Sequence, residues 1–165
     1  NGENARINTE DEVVEEIISS AVIKFSKRFP EASVEVKMPE EFLMVAMDGV
    51  LIEQVLVNLL ENAVLHGKTY TKIWIIVTHT PGRGEIAVED GGQGIKESVL
   101  PVMFEGKISS DEEESDSKRN MGIGLSVCHS IVKAHKGGMH AENRAEGGAR
   151  ISFWLPMNEE DTDGY

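Results

Sequence analysis

The order in which helix-like and strand-like segments follow one another is the feature that most restricts the fold of this chain. Segments whose apolar residues recur at helical spacing alternate with pairs of segments whose apolar residues alternate as in strands. Helices are predicted at residues 10–28, 49–67 (with Asp48 as N-cap) and 124–135, and strands at residues 33–38, 42–47, 72–80, 85–90, 138–144 and 149–156. This order predicts an α/β sandwich of two layers, in which three helices cover one face of a mixed, mostly antiparallel sheet of about five strands.

Composition limits the kinds of function open to the chain. The 165 residues include 40% hydrophobic residues, enough for one core, and no apolar run approaches the roughly 18 residues of a membrane span. The net charge of −13 argues against binding nucleic acid through a basic surface. An anionic ligand would therefore have to be bound through a metal cation or backbone amides. The single cysteine, Cys128, lies on an apolar helical face and is predicted to be a buried small side chain.

Two asparagines interrupt the apolar helix predicted at residues 49–67. Asn58 and Asn62 are four positions apart and so share one helix face. Such amides either hydrogen-bond a neighbouring loop or place an oxygen on a hard cation such as Mg²⁺. Taken alone, the N-x-x-x-N pattern favours the loop.

The stretch VEDGGQGI, residues 88–95, places three glycines directly after a predicted strand. Asp90 ends that strand, where a carboxylate can face a pocket. Gly92 and Gly94 would let a flat ligand approach the backbone closely. A plain tight turn is the better explanation of this stretch by itself.

A third stretch, MGIGLSV at residues 121–127, places two glycines at the predicted start of a helix. The long polar loop before it contains Lys118 and Arg119. Helix N-terminal amides with nearby cations favour an anion-binding site, and a flexible hinge before an ordinary helix is the alternative.

The order and spacing of these stretches are more specific than any one of them. Together, NLLENA, VEDGGQGI, VMFEGK and MGIGLSVCHSIVKAH resemble the ATP-binding catalytic domain of sensor histidine kinases, within the superfamily of gyrase, Hsp90, histidine kinase and MutL ATPases. The resemblance covers about residues 10–156, and the hairpin NRAEGGARISFWLP is similar to that of the potassium-sensing Kdp kinases. It implies a Bergerat-type fold that binds ATP and Mg²⁺ and transfers the γ-phosphoryl group to a histidine.

The resemblance also implies roles for individual residues. Asn62 would hold Mg²⁺ through its amide oxygen with support from Asn58, and Glu61 would act as general base or phosphate-positioning group. Asp90 would accept a hydrogen bond from the adenine amino group, which selects adenine over guanine. The other nucleotide-binding residues that it implies are His66, Gly92, Gly94, Ile95, Phe104, Lys118, Arg119, Gly122, Gly124 and Leu125.

Within that set, the groups would bind different parts of the nucleotide. Gly92 and Gly94 would shape the adenine slot and the hinge of a lid at about residues 105–121. The backbone amides of Gly122, Gly124 and Leu125 would face the phosphates. The γ-phosphate would be reached by Lys118 or Arg119, from the lid.

The sequence departs from the family pattern at five positions. Leu65 replaces a frequent lysine or arginine, His66 a frequent aromatic ring, Gly91 an asparagine, Asn120 a glycine, and Arg150 the threonine found near the adenine. These changes put one phosphate contact and the nucleotide affinity in question, but we expect ATP binding to survive them.

The acceptor of the phosphoryl group is expected to lie outside this chain. None of its five histidines stands in the H-[ED]-x-x-x-P setting of the family's acceptor. We therefore expect an excised, monomeric catalytic domain (residues 10–156) between a flexible segment (residues 1–9) and a disordered acidic tail (residues 157–165). Its expected partners are the dimerisation domain of the same protein and a response regulator. The whole would be the cytoplasmic portion of a membrane-bound sensor.

Two other functions stay open at this point. NAVLHG is close to the asparagine box of anti-sigma-factor serine kinases, which share the fold. Leu65 and Asn120 would also suit a degenerate domain that senses nucleotide without transferring phosphate.

Overall fold

The computed structural model describes residues 6–67, 72–105 and 116–158. Three α-helices and seven strands lie within these residues. In chain order they are β1 (Glu10–Val13), α1 (Val14–Arg28), β2 (Ser33–Lys37), β3 (Met44–Met47), α2 (Gly49–Gly67), β4 (Lys72–Thr80), β5 (Arg83–Asp90), α3 (Asp116–Ala134), β6 (Gly138–Asn143) and β7 (Ala149–Pro156).

Five strands form the main sheet, in the order β2-β4-β5-β7-β6. Strand β2 runs parallel to β4, and the other neighbours are antiparallel. Helices α2 and α3 pack against this sheet, and α1 packs against α2. The predicted class, with three helices and a mixed, mostly antiparallel five-stranded sheet, is confirmed.

A second, two-stranded sheet pairs β1 with β3, and the sequence did not predict it. The prediction was wrong in starting the first helix at residue 10, and it did not foresee that the strands predicted at residues 33–38 and 42–47 belong to different sheets. Pro39 lies between β2 and β3 and has no N–H for a tight hairpin ladder. The two strands therefore diverge, β2 to the edge of the main sheet and β3 to β1.

The core lies between the main sheet and α2. Alternate residues of β4, including Ile73 and Ile75, are fully buried, whereas Trp74 lies on the opposite face of the sheet and is half-buried. The buried apolar residues of α2 are Ile52, Val55, Leu56, Leu59, Leu60, Ala63 and Val64. Because neighbours surround α2, polar side chains on its inner faces must find partners there.

The start of α2 is fixed as the sequence predicts. Asp48 Oδ1 accepts a hydrogen bond from the Leu51 backbone N–H at 3.3 Å, the bond expected of an N-cap residue. The Asp48 N–H donates to His135 Nε2 at 2.9 Å, and Asp48 Oδ2 accepts from the Asn8 N–H at 3.0 Å. The N-terminus of α2 is therefore tied to the end of α3 and to the chain before β1.

Helix α3 begins at Asp116, eight residues before the predicted start at Gly124. Lys118, Arg119 and Gly122 therefore lie within the helix rather than in a loop before it. Glycine inside a helix costs about 1 kcal/mol relative to alanine and does not by itself end the helix. The part of the predicted lid at residues 116–121 is helical, and residues 106–115 lie outside the described residues.

The end of the domain also differs from the prediction. Met157 was predicted to belong to a disordered tail, but it is buried, and its N–H donates to the Gly82 carbonyl at 2.9 Å. The rest of the predicted tail, from residue 159 onward, lies outside the described residues.

Candidate functional site

The asparagine face of α2 is buried against α3. Asn58 Nδ2 donates to the Cys128 Sγ at 3.5 Å, and a Cβ on Gly124 would come within 3.9 Å of the same amide nitrogen. Cys128 is buried, as predicted, and burial raises the pKa of its thiol to about 11. Asn58 and Gly124 therefore belong to one contact between the two helices.

Asn62 has the least satisfied polar atom of this face. The residue is 4% exposed, and within the part of the chain that the structure describes, its Oδ1 is buried without a hydrogen-bond partner. A buried acceptor without a partner costs about 1–3 kcal/mol. An amide oxygen in that position can accept a hydrogen bond from a ligand or coordinate a hard cation.

Glu61, next to Asn62, lies nearer to α1. Arg28 Nη1 donates to Glu61 Oε2 at 2.6 Å. The Arg28 side chain is 68% exposed, and an ion pair of this kind contributes less than about 1 kcal/mol. Glu61 can therefore exchange Arg28 for another partner at small cost.

Asp90 lies at the end of β5 with its side chain on the helix-facing side of the sheet. It is 4% exposed, and its Oδ1 accepts a hydrogen bond from the Gly92 N–H at 2.8 Å. This local bond fixes the side chain, and a carboxylate can still accept further hydrogen bonds. Asp90 can therefore present an acceptor to a polar ligand from within an apolar core.

The loop from Asp90 to Ile95, called the glycine loop below, is held by residues that the sequence analysis missed. Ile95 is buried, and Asn143 at the end of β6 hydrogen-bonds its backbone. Arg144 donates to the Asp90 carbonyl. Both residues begin the hairpin NRAEGGARISFWLP, but its resemblance to the Kdp kinases gave no signal that they contact the glycine loop.

Arg150, which was predicted to replace the threonine found near the adenine, lies on the opposite face of the sheet from Asp90, so this prediction was wrong. Arg150 donates to Glu89 Oε2 at 2.6 Å and to Glu85 Oε1 at 3.0 Å, on the face of the sheet away from the helices. Glu89 lies opposite Arg150 in the register, which puts the buried Ala149 beside Asp90. Because side chains alternate along a strand, an error of one residue in placing the threonine position moves it to the other face of the sheet.

Phe104 lies against α3, and Leu125 is part of that helix. The Phe104 ring stacks on the His129 ring with centroids 5.7 Å apart and planes 13° apart, and Leu125 is buried. The amides of Gly122, Gly124 and Leu125 lie beyond the first turn of α3, where helical N–H groups bond to carbonyls four residues earlier. The expectation that these amides open the helix is wrong for this structure, in which the first turn comprises residues 116–119.

Some predicted contacts lie outside what the structure describes. The side chains of His66, Lys118 and Arg119 belong to this group. Across the described ranges, no group of three or more His, Cys, Asp or Glu side chains could hold a metal ion. No helix in those ranges is both long and apolar enough to cross a membrane.

Comparison with known proteins supports one family. The profile of the family described as "Histidine kinase-, DNA gyrase B-, and HSP90-like ATPase" matches residues 47–159. The sensor protein KdpD of Clostridium acetobutylicum is 41% identical over 153 residues, which cover 93% of this chain and 17% of that protein. This chain therefore spans only a small part of that relative.

Solved structures agree with the sequence relatives. The nucleotide-free catalytic domain of histidine kinase ThkA superposes with a TM-score of 0.77 at 25% identity, covering 94% of this chain and 99% of that one. ThkA in complex with response regulator protein TrrA superposes with a TM-score of 0.72 at 24% identity, covering 92% and 42%.

The family profile covers more than half of the chain. The matched region includes α2, the glycine loop and α3, which together form the candidate site. The chain therefore belongs to the histidine kinase-, DNA gyrase B- and HSP90-like ATPases, as an ATP-binding catalytic domain of the sensor histidine kinase type.

Proposed function

We propose that this domain binds ATP with Mg²⁺ beside α2, the glycine loop and α3, and transfers the γ-phosphoryl group to a histidine on a separate dimerisation domain. One observation carries the proposal furthest: the buried Asn62 Oδ1 has no hydrogen-bond partner among the described residues. A natural core retains such an atom at a cost, and binding a ligand is the simplest reason to retain it.

A site that contains the Asn62 amide oxygen suits Mg²⁺ better than most other metals. Its amide oxygen is a hard ligand, and Mg²⁺ is usually bound by one or two protein oxygens, several waters and substrate phosphates. The absence of a Cys, His or carboxylate cluster from the described residues argues against a site made of protein ligands alone. When bound, Mg²⁺ would neutralise charge on the phosphates.

Asp90 suits the recognition of adenine. Its buried carboxylate would accept a hydrogen bond from the exocyclic amino group of the base. Guanine presents a carbonyl oxygen at the same position, and two acceptors facing each other in a buried site are unfavourable. The base preference of the domain would therefore follow from this one side chain, with Gly92, Gly94 and Ile95 forming the slot.

The remaining predicted residues are part of the proposal. Asn58 would support Asn62, and Glu61 would leave Arg28 to position the phosphates or accept a proton. Leu125 would line the site from within α3, and Phe104 through its contact with His129 of α3. The Lys118 and Arg119 side chains are proposed to contact the phosphates, Gly122 and Gly124 to let the phosphates approach α3 closely, and His66 to pack near the base.

The partners are proposed from the relatives. The ThkA structure with response regulator TrrA shows a domain of this fold in a protein that binds a response regulator, and we propose a response regulator for this protein too. We further propose that the domain acts as a monomer and is the cytoplasmic portion of a membrane-bound sensor.

The acceptor can be tested by supplying it in trans. The domain is incubated with γ-labelled ATP and Mg²⁺, together with a Kdp-type dimerisation domain that carries its acceptor histidine. We expect acid-labile label on that histidine, and no label when the histidine is replaced by glutamine. Acid-stable label on the serine of a sigma-factor antagonist would instead support the serine-kinase alternative. ATP binding without transfer to either acceptor would support the degenerate domain.

A further inference from the structure

The turn between β6 and β7 contacts the glycine loop from a point about fifty residues later in the chain. Asn143 uses both polar atoms of its side-chain amide on one residue of that loop. Its Oδ1 accepts from the Ile95 N–H at 2.6 Å, and its Nδ2 donates to the Ile95 carbonyl at 2.8 Å. The end of the glycine loop is therefore held by a paired, directional contact.

Arg144 holds the other end of the loop. Its Nη1 donates to the Asp90 carbonyl at 3.0 Å and to the Gly147 carbonyl at 3.1 Å. Its Nε lies 3.3 Å from Glu89 Oε1, with both side chains mostly buried, and its guanidinium lies 5.0 Å from the Trp74 ring centroid. The planar guanidinium thus connects the Asp90 carbonyl to the Gly147 carbonyl of the turn and to the Glu89 side chain of the sheet.

Glycines allow the two segments to approach this closely. Gly148 has φ +89°, and a Cβ there would lie 1.9 Å from the Asp90 carbonyl oxygen and 2.8 Å from the Gly91 Cα. Gly94 has φ +83°, and a Cβ there would lie 2.8 Å from Asn143 Oδ1. The contact is one of backbone against backbone at Gly91, which gives that residue a packing role.

The position of the Asp90 carboxylate depends on this contact. Asp90 Oδ1 is bonded to the N–H of Gly92 within the glycine loop, so the side chain moves when the loop moves. The two loop ends are fixed by Asn143 and Arg144, and the polar atoms of the Asn143 amide are both used on Ile95. We therefore expect Asn143 to influence a ligand through the loop.

From these contacts we infer that Asn143 and Arg144 are positioning residues for base recognition, which act by fixing the loop that carries Asp90. This inference rests on the proposed function, because it needs adenine to bind at Asp90. It adds two specificity-determining positions at the start of the closing hairpin, to which the sequence assigned no role at the nucleotide site.

The test compares base selectivity with stability. Asn143→Ala removes both bonds to Ile95, and Arg144→Lys keeps the positive charge but cannot bond Asp90, Gly147 and Glu89 together. Glu142→Ala is the matched control, because Glu142 is the exposed neighbour on β6 and pairs with His140. Affinities for non-hydrolysable analogues of ATP and GTP are measured with Mg²⁺ for each variant, together with the Tm.

We expect Asn143→Ala and Arg144→Lys each to bind the ATP analogue about tenfold more weakly than the parent does. Their preference for the ATP over the GTP analogue should fall, whereas Glu142→Ala should match the parent in both respects. In an Asp90→Asn background, Asn143→Ala should cause little further loss of selectivity, because its effect passes through Asp90.

A second measurement does not depend on nucleotide. In Asn143→Ala, the Ile95 amide should exchange with solvent faster than in the parent, as followed by NMR. Unchanged exchange at Ile95, or full base selectivity in both variants while the parent binds, would overturn the inference and leave the proposed function intact. Failure of the parent itself to bind the ATP analogue would instead overturn the proposed function, and this inference with it.

Discussion

At the scale of single residues, the site combines one unsatisfied atom with one fully positioned carboxylate. Asn62 Oδ1 is buried without a partner among the described residues, whereas Asp90 Oδ1 is bonded to Gly92. The first residue suits a ligand that supplies its own charge, and the second suits a ligand that supplies a hydrogen-bond donor. Both properties follow from where α2 and β5 place these side chains in an otherwise apolar core.

The unsatisfied oxygen predicts a conflict between stability and function at Asn62. In Asn62→Leu, a side chain of similar shape replaces the amide and removes the unpartnered acceptor. We expect its free energy of unfolding without nucleotide, from urea denaturation, to equal or exceed that of the parent by up to about 1 kcal/mol. Binding of the Mg²⁺–ATP analogue should be lost. A loss of stability of more than about 1 kcal/mol would mean that the Asn62 amide is satisfied in the free domain.

The Asp90 carboxylate predicts the base preference. Asp90→Asn exchanges a charged acceptor for a neutral group that can also donate, so we expect about tenfold weaker binding of the ATP analogue. The same change should reduce discrimination against the GTP analogue, because an amide N–H₂ can face the guanine carbonyl. Isothermal titration calorimetry measures both affinities. The control variant is Glu97→Gln, at an exposed residue shortly after the glycine loop. Unchanged selectivity would remove Asp90 from base recognition.

At the scale of elements, the site depends on how α2 and α3 are held together. His135 lies near the end of α3 and is buried. Its Nε2 accepts from the Asp48 N–H at the start of α2, and its Nδ1 donates to the Ile131 carbonyl within α3. This one imidazole therefore joins the C-terminus of α3 to the N-terminus of α2, at the ends of the helices away from Asn62.

Loss of that imidazole should lower stability. In His135→Ala the Asp48 N–H loses its partner, and we expect the free energy of unfolding to fall by about 1–3 kcal/mol. The matched control is His140→Ala, whose side chain is 70% exposed and pairs with Glu142, and which should change stability by less than about 0.5 kcal/mol. Urea denaturation of both variants makes the comparison. Equal effects would contradict the link between the helices.

Helices and strands whose apolar residues recur at a clear period could be predicted from the sequence. Their boundaries and the strands with which they pair could not. The long apolar pattern gave α2 and its Asp48 cap correctly, because helix spacing and capping are local properties. Pairing is not local: the apolar alternation of β3 is the same whether it lies against β1 or β2. The early start of α3 was missed because Gly122 and Gly124 are more typical of helix ends than of helix interiors.

At the scale of the whole molecule, the site lies where a two-layer fold leaves α3 next to α2. The sequence placed Asn58, Asn62 and Asp90 together through a resemblance in order and spacing, and each of them lies on an inner face of the fold. The contacts of Asn143 and Arg144 with the glycine loop could not be predicted, because they join segments far apart in sequence, and the resemblance of each segment does not specify what it contacts. The one-residue offset at Arg150 has the same cause, since register across β5 and β7 is a tertiary property.

The reactivity of the buried Cys128 thiol can show how readily α3 separates from α2. Cys128 lies on the face of α3 that packs against α2. Burial raises the pKa of its thiol to about 11, so the thiol is protonated at pH 8. We expect it to react with a thiol-specific reagent much more slowly in the folded domain than in urea, because the thiolate is the reactive form. Nucleotide that stabilises the folded domain should slow the reaction further. Rapid labelling of the folded domain at pH 8 would show that α3 separates readily from α2.

Isothermal titration calorimetry can show directly whether Asn62 binds Mg²⁺ together with ATP. Parent and Asn62→Ala are titrated with a non-hydrolysable ATP analogue, each with Mg²⁺ and with a chelator. We predict that Mg²⁺ strengthens binding to the parent by about tenfold or more. This gain should disappear in Asn62→Ala, which should keep the parent's Tm to within a few degrees. If Asn62→Ala binds the Mg²⁺ complex as tightly as the parent does, the assignment of Asn62 to the metal is contradicted.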